Sequence, residues 1–364
     1  MAKTLLYDRH VALDGRMVSF AGWELPVQYA AGPKAEHLAV RAQAGLFDID
    51  HMGQLVVTGP DALPFLQAML TADIGAIGEG EAGYALLCYA DGGVVDDTFV
   101  YRLPDRFFIA INASNNEKDT RWLQAHAAGY DVQIVNVSAE TYMLALQGPL
   151  SAMILAPLCS ADISALQHHH AIQATVAGVP GLVSRTGYTG EDGFELYLQA
   201  DGAVTAWDAI MAAGGPHGLL PIGLAARDSL RFEACMPLYG QELGPDITPL
   251  EAGLSWAVDW SKDFCGRDAL LKLRLEGAAR TLVAFKMLDR GVPRHEYPIL
   301  SEGEVVGQVT SGMYAPTVDA FLGLGFVPTS LRRPGTEISI GIRDREHRAV
   351  VVRKPFYVPA YRRS

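Results

Sequence analysis

Two aspartates stand side by side in GGVVDDTFVY, residues 92–101, and their setting poses a chemical question. A glycine pair ahead of a run rich in Val, Thr, Phe and Tyr predicts a hairpin with the glycines in its turn. Aspartate is a poor strand former, and successive side chains of a strand face opposite ways, so one of Asp96 and Asp97 must point toward a core face. A carboxylate held there suits general acid–base work or the stabilisation of a positive charge. The plainer reading puts one acid in solvent and the other on the hairpin backbone. A second cluster is SRTGYTGEDGFELY, residues 184–197, where glycines, Tyr188 and two acids make a tight loop and Glu195 falls inside a strand. Alternation alone leaves Glu195 as free to face outward as inward. In GLAARDSLRFEA, residues 223–234, Arg227 and Arg231 lie one helical turn apart on one face, and composition alone favours a pair of exposed arginines with Glu233 nearby.

Other chemistries find no support. The chain has no GxGxxG opening a βαβ unit, no Walker A loop, no HExxH and no GxSxG. LGLGF at 322–326 falls among predicted short strands, the wrong context for a dinucleotide. His168, His169 and His170 are adjacent, and neighbours on one strand or loop point different ways, so a solvent-exposed turn is expected rather than a metal grip. Cys88, Cys159, Cys235 and Cys265 are scattered without CxxC spacing and read as buried free thiols of a reducing compartment. A net charge of −12 over 364 residues argues against nucleic acid as a main ligand. No apolar run has the length of a membrane span, and the N-terminal residues do not read as a secretory signal. These features predict a soluble, cytoplasmic protein.

The elements that must position these residues form four tracts. Residues 1–50 mix loops with a short helix near AEHLAVRAQAG. From 54 to 112 strands and a helix surround the hairpin, ending in the strand RFFIAIN and a helix capped by Ser114 or Asn115. A second α+β block runs from YMLALQG through AIQATVAG, GLVSRTG and GFELYLQ to the helix at GLAARDSLRFEA. After a short helix around RDALLKL the pattern changes near residue 275, and residues 280–352 read as a small all-β domain.

Several stretches taken together resemble the T-protein family of the glycine cleavage system, the tetrahydrofolate-dependent aminomethyltransferases. They are FAGWELPVQY (20–29), HMGQ (51–54), GGVVDD (92–97), NASNNEKD (112–119), RTGYTGEDGFELY (185–197), GLAARDSLRFEA (223–234), TPLEAGLSW (248–256), GVPRHEYPIL (291–300) and GQVTSGMYAPT (307–317). The resemblance implies an α+β, three-domain cloverleaf around a central folate channel. Its first domain would be discontinuous, residues 1–50 with 140–274, its second inserted at 51–139, and its third a barrel-like β domain at 275–364. It implies that Asp96, the first acid of the pair, points into the channel beside the reacting pterin nitrogens, as stabiliser of a cation or as proton relay. Glu195 would hold the pterin edge and Arg227 would belong to the same site. Asn112 matches a folate-contacting position, and Tyr84, Tyr101 and Tyr188 would supply aromatic walls. Arg294 matches an arginine of the third domain, and Tyr361, with Tyr357 or Arg362 as alternatives, a folate contact near the C-terminus.

The implied reaction takes an aminomethyl group from a lipoylated glycine cleavage H carrier protein to tetrahydrofolate, with no metal and no membrane partner. One departure stands out: the family often reads DVSHMG where this chain has DIDHMG, placing Asp50 at a small hydroxyl position. Two other readings share the fold: a folate-dependent demethylase that needs no carrier, and a folate-binding assembly factor for iron–sulfur proteins. The second carries a cysteine-bearing stretch where this chain has RTGYTGED, without cysteine. The C-terminal VVRKPFYVPAYRRS gathers Arg353, Lys354, Arg362 and Arg363 without an acid, and is expected either to be a solvated tail or to attract the anionic tail of a folate.

Overall fold

The computed structural model describes residues 1–362. Its β-branched and aromatic runs become strands, as the pattern predicts. Ala82–Cys88, Val94–Arg102, Phe107–Ile111, Gly53–Thr58 and Gln133–Asn136 form a five-stranded sheet in that order. Helices Ala62–Met69 and Asn116–Ala125 contribute Phe65, Leu66 and Leu123 to its core, against Leu55, Val100 and Ile109 of the sheet. A six-stranded sheet runs Ala171–Val176, Val179–Ser184, Gly193–Gln199, Thr141–Gln147, Gly45–Asp48 and Leu220–Pro221. Its core takes in Leu144, Leu146, Phe194 and Leu196 together with Trp207 and Ile210 of helix Ala203–Gly214, an element the sequence reading did not predict. A small three-stranded sheet, Ala2–Lys3, Trp23–Gln28 and Arg16–Phe20, completes the N-terminal part.

The tract from 280 to 352 is a closed barrel of six strands: Arg280–Met287, Ala320–Pro328, Glu304–Ala315, Pro298–Ser301, Glu337–Ile342 and Arg345–Val352. Closure removes the sheet edges that short strands would otherwise expose. Two apolar seams join the parts. Phe47, Tyr101, Phe108, Met143, Tyr197 and Leu230 pack between the two large sheets. Phe232, at the end of helix Leu224–Glu233, packs with Leu282, Leu322 and Leu324 of the barrel.

The glycine pair turns the hairpin as expected. Gly92 has a φ of 89°, which an L side chain rarely adopts, and a Cβ on Gly93 would stand 1.8 Å from the Pro245 carbonyl oxygen. The hairpin register then shifts, because Cys88 pairs with Val94 but Leu87 with Asp96, leaving Val95 as the extra residue of a bulge. From there the strand alternates, and that parity decides the fate of the two acids. The helix after Phe107–Ile111 starts through a short 3-10 turn, Ala113–Asn115, and neither Ser114 nor Asn115 makes the expected side-chain cap.

Candidate functional site

Both aspartates face inward, to different interiors. Asp96 is fully buried. Its Oδ1 accepts from Asn112 Nδ2 at 2.8 Å and Asn115 Nδ2 at 2.6 Å, and its Oδ2 from the Asn112 backbone N–H at 3.1 Å. Asn115 is bound to this acid instead of capping its helix, and Asp119, one helical turn beyond it, lies beside the same carboxylate. Asp97 lies on the other face, with Phe99 and Tyr101, toward the sheet that carries Glu195. It is only partly buried; its Oδ2 accepts from the Tyr84 hydroxyl at 3.1 Å and its Oδ1 from Asn112 Nδ2 at 2.7 Å. Burial, and then the negative charge of Asp96, push the Asp97 carboxyl up to about 7. The resemblance gave the channel-facing role to Asp96. Here the bulge at Val95 and the three N–H donors turn Asp96 under the helix and leave Asp97 the more exposed of the two.

Glu195 also faces inward. It pairs with Ala145 on one neighbouring strand and Ser184 on the other, and its Oε2 accepts from the Thr186 hydroxyl at 2.6 Å. Thr186 and Tyr197 both meet the Tyr101 hydroxyl, at 3.2 and 3.0 Å. Burial raises the Glu195 carboxyl, opposed by the hydrogen bond from Thr186 and the positive charge of Arg227. Tyr101 is fully buried and so closes the floor between the sheets rather than walling an open site. Thr186 and Tyr197 were missed by the sequence reading, although Tyr197 shares a strand face with Glu195 at a spacing of two.

Arg227 and Arg231 part company. Arg231 is locked between Glu242 at 2.9 Å and Asp228 at 2.7 Å, with Gln241 and Ser311 completing its bonds. The Arg227 guanidinium lies 4.9 Å from the centre of the Tyr188 ring and takes part in none of the hydrogen bonds or ion pairs found among the described residues. Burial lowers its affinity for the proton, while Tyr188 and Glu195 oppose that effect. Tyr188 in turn donates its hydroxyl to the Pro237 carbonyl. Tyr84 is covered on one face by Trp256, 5.4 Å away at 27°, and Trp256 itself remains 69% exposed.

The C-terminal and barrel residues do not all join this cluster. Arg294 is exposed and, among the described residues, shares no hydrogen bond or ion pair with it. Tyr361 meets the glycine loop: its hydroxyl donates to the Gly190 carbonyl at 3.3 Å and its ring stacks on His168. Lys354 turns toward the barrel, with Nζ donating to the Leu282 carbonyl at 3.2 Å, so it does not join a basic patch; Arg363 lies outside the described residues. The three histidines point apart, His168 to Tyr361, His169 to Phe99 and His170 to Glu81. Cys88 is buried, while Cys159, Cys235 and Cys265 are partly exposed. A cavity of about 440 Å³ opens beside the barrel, lined by Gln241, Arg280, His295 and Thr310, and holds none of the acids described above. The side-chain cluster therefore locates the candidate site better than the cavity does.

Comparison with known proteins gives this geometry a family. The GCVT N-terminal domain matches residues 6–262 and the glycine cleavage T-protein C-terminal barrel domain residues 280–357. An aminomethyltransferase of Moorella thermoacetica is 49% identical over 359 residues, covering 98% of each chain. One of Geobacillus sp. (strain WCH70) is 48% identical over 361 residues, 98% of this chain and 99% of the other. The crystal structure of glycine cleavage system aminomethyltransferase T from Bartonella henselae superposes with a TM-score of 0.92 at 34% identity, over 98% of both chains. With both domain types matched and relatives aligned end to end, the chain belongs to the glycine cleavage T-protein family.

Proposed function

We infer that the chain is an aminomethyltransferase of the glycine cleavage system. It transfers the one-carbon unit of an aminomethyl-dihydrolipoyl H carrier protein to tetrahydrofolate, giving 5,10-methylenetetrahydrofolate, ammonia and the free dihydrolipoyl thiol. In this reading the carbon's bonds to sulfur and to nitrogen break, and two bonds to the folate nitrogens replace them. Asp97, rather than Asp96, is the acid assigned to the reacting centre. Its charge stabilises the iminium-like cation through which the carbon passes, and it accepts a proton from the folate amine. Glu195 suits the 2-amino-pyrimidinone edge, because one carboxylate can accept from two parallel N–H donors. Arg227, uncommitted to any carboxylate, is available to an electron-rich edge of the ligand, with Tyr84 and Tyr188 as walls. The working units of this reading are residues 1–50 with 140–274, 51–139 and 275–364. Pairing of Gly45–Asp48 with Thr141–Gln147 in one sheet supports the discontinuous first unit. Four free cysteines fit action in the reducing cytoplasm.

The observation that carries the proposal is the partly exposed Asp97, raised toward neutrality and presented beside Tyr84 on the face that looks toward Glu195. The test combines the protein with tetrahydrofolate, lipoylated carrier, the glycine decarboxylase component and glycine. Ammonia and methylenetetrahydrofolate should appear together and only when the carrier is present. Turnover of a methylated substrate without carrier would favour the demethylase. Folate binding with no turnover would favour the assembly factor.

A further inference from the structure

Behind Asp97 lies a buried acid that the reaction does not touch. Asp119, on helix Asn116–Ala125, is fully buried, and neither of its carboxyl oxygens has a hydrogen-bond donor among the described residues. Lys118 does not supply one: its Nζ stands 3.6 Å from Asp119 Oδ1 and spends its bonds on the Val95 carbonyl and the Tyr239 hydroxyl, the latter at 3.0 Å. The carboxylate beside Asp119 is Asp96. Two buried anions in contact are strongly unfavourable, and one proton held between them turns the contact into a hydrogen bond.

The surrounding donors decide where that proton sits. Asp96 already receives three N–H bonds, from Asn112 twice and from Asn115, so its oxygens are supplied with donors. Asp119 receives none, so it is the member that must bring its own hydrogen. Asn112 Nδ2 then spans Asp96 Oδ1 at 2.8 Å and Asp97 Oδ1 at 2.7 Å, tying the charged member to the presented acid through a single amide. We propose that Asp119 carries a proton donated to Asp96, and that this buried one-proton pair is a positioning device that fixes one negative charge behind Asp97 and thereby decides when Asp97 takes up a proton. The catalytic importance of that effect rests on the role assigned to Asp97 above; the pair itself does not. Burial and Asp96 both raise the Asp119 carboxyl, as they raise that of Asp97. The other ionisable groups facing these acids are Tyr84, Tyr188, Tyr239 and Lys118.

Carboxyl-carbon NMR of the full chain with labelled aspartate separates the possibilities, the signals being identified by their loss in single variants. In the unsubstituted protein the Asp119 signal should stay that of a neutral acid from pH 5 to pH 8. An ordinary carboxylate titration of Asp119 below pH 5 overturns the proposal, and this readout needs no substitution that might disturb folding. Asp119→Asn replaces the O–H by an N–H donor and keeps the charge on Asp96, so the Asp97 midpoint should not move. Asp96→Asn removes the charge next to Asp97 and should lower its midpoint by about one pH unit or more. Lowering by Asp119→Asn alone means that the charge resides on Asp119, and equal lowering by both variants means that both acids carry it; either result overturns the proposal. The acidic limb of methylenetetrahydrofolate formation should follow the same order, shifted by Asp96→Asn and not by Asp119→Asn. If the NMR midpoints behave as expected while the rate profile stays fixed, the pair stands and the reactive role of Asp97 fails.

Discussion

At the scale of single residues, adjacent acids of one strand sit in different settings because their donors differ. Asp97→Asn keeps the volume and removes the charge, and is expected to reduce turnover by roughly 10²–10³ while the protein stays folded. Because the Asp97 carboxyl is raised to about 7, the charged form is lost as pH falls through neutrality, and the rate should fall with it. Carrier-dependent ammonia release across pH 5.5 to 9 checks both statements; a variant with full rate, or a flat acidic limb in the unsubstituted enzyme, removes Asp97 from the chemistry. Glu195→Gln places an NH₂ against a ligand donor and should weaken tetrahydrofolate binding by about 2–4 kcal/mol. Calorimetric titration with unchanged affinity would sink that contact. Asp50 shows the opposite case, an acid that penalises the fold. Burial and the neighbouring Asp48 raise it to about 8, above its unfolded value, so its share of stability is complete in acid and lost as pH rises through about 8. Asp50→Ser should therefore gain about 1–3 kcal/mol relative to the unsubstituted protein between pH 6 and pH 9 in denaturant titrations. A difference that does not change with pH counts against this account.

At the scale of elements, the hairpin Ala82–Cys88 with Val94–Arg102 is the part whose placement the site depends on. Its turn fits against the loop at 244–247, where the Val94 N–H reaches the Gly244 and Ile247 carbonyls at 3.1 and 3.0 Å. A methyl group on Gly93 meets the Pro245 carbonyl and must push the two apart. Gly93→Ala is expected to cost about 3 kcal/mol in stability. It should also displace Asp97 from Tyr84, so that folate-dependent turnover falls more than folding accounts for. A variant of wild-type stability and rate would show that the turn tolerates the shift.

For the whole molecule, the barrel is joined to the rest through Glu233 as well as through Phe232. The buried Glu233 carboxylate accepts from His37 Nε2 at 3.0 Å, Arg41 Nη2 at 3.1 Å and the Thr317 backbone N–H at 2.8 Å. These bonds tie helix Pro33–Ala42, helix Leu224–Glu233 and the segment after barrel strand Glu304–Ala315 to one charge. Glu233→Gln removes one of the two carboxylates paired with Arg41, leaving Glu191 at 3.2 Å, and should cost about 1–3 kcal/mol. Urea unfolding at an unchanged midpoint would show the tie to be dispensable.

Much of this was legible before folding was considered. Period-two runs such as YALLCY and GFELYLQ marked strands, the glycine pair marked the turn, and the change near residue 275 marked the barrel tract, because each depends on local sterics and on which side chains can be buried. The acids, Glu195 and Arg227 were also legible as oddities, polar residues in patterns that call for apolar ones. Helix Ala203–Gly214 was passed over, and Asn115 was read as a helix cap, since nothing local reveals that an acid nineteen positions earlier needs its amide. Alternation required one of Asp96 and Asp97 to turn inward but not which, and a bulge of one residue, set by pairing with Leu87 and Cys88, decided it. Sequence determined that these residues are present and in which elements they ride. Only tertiary structure decided which carboxylate three amide donors would hold buried and which would be left partly exposed, because that depends on groups brought together from distant parts of the chain.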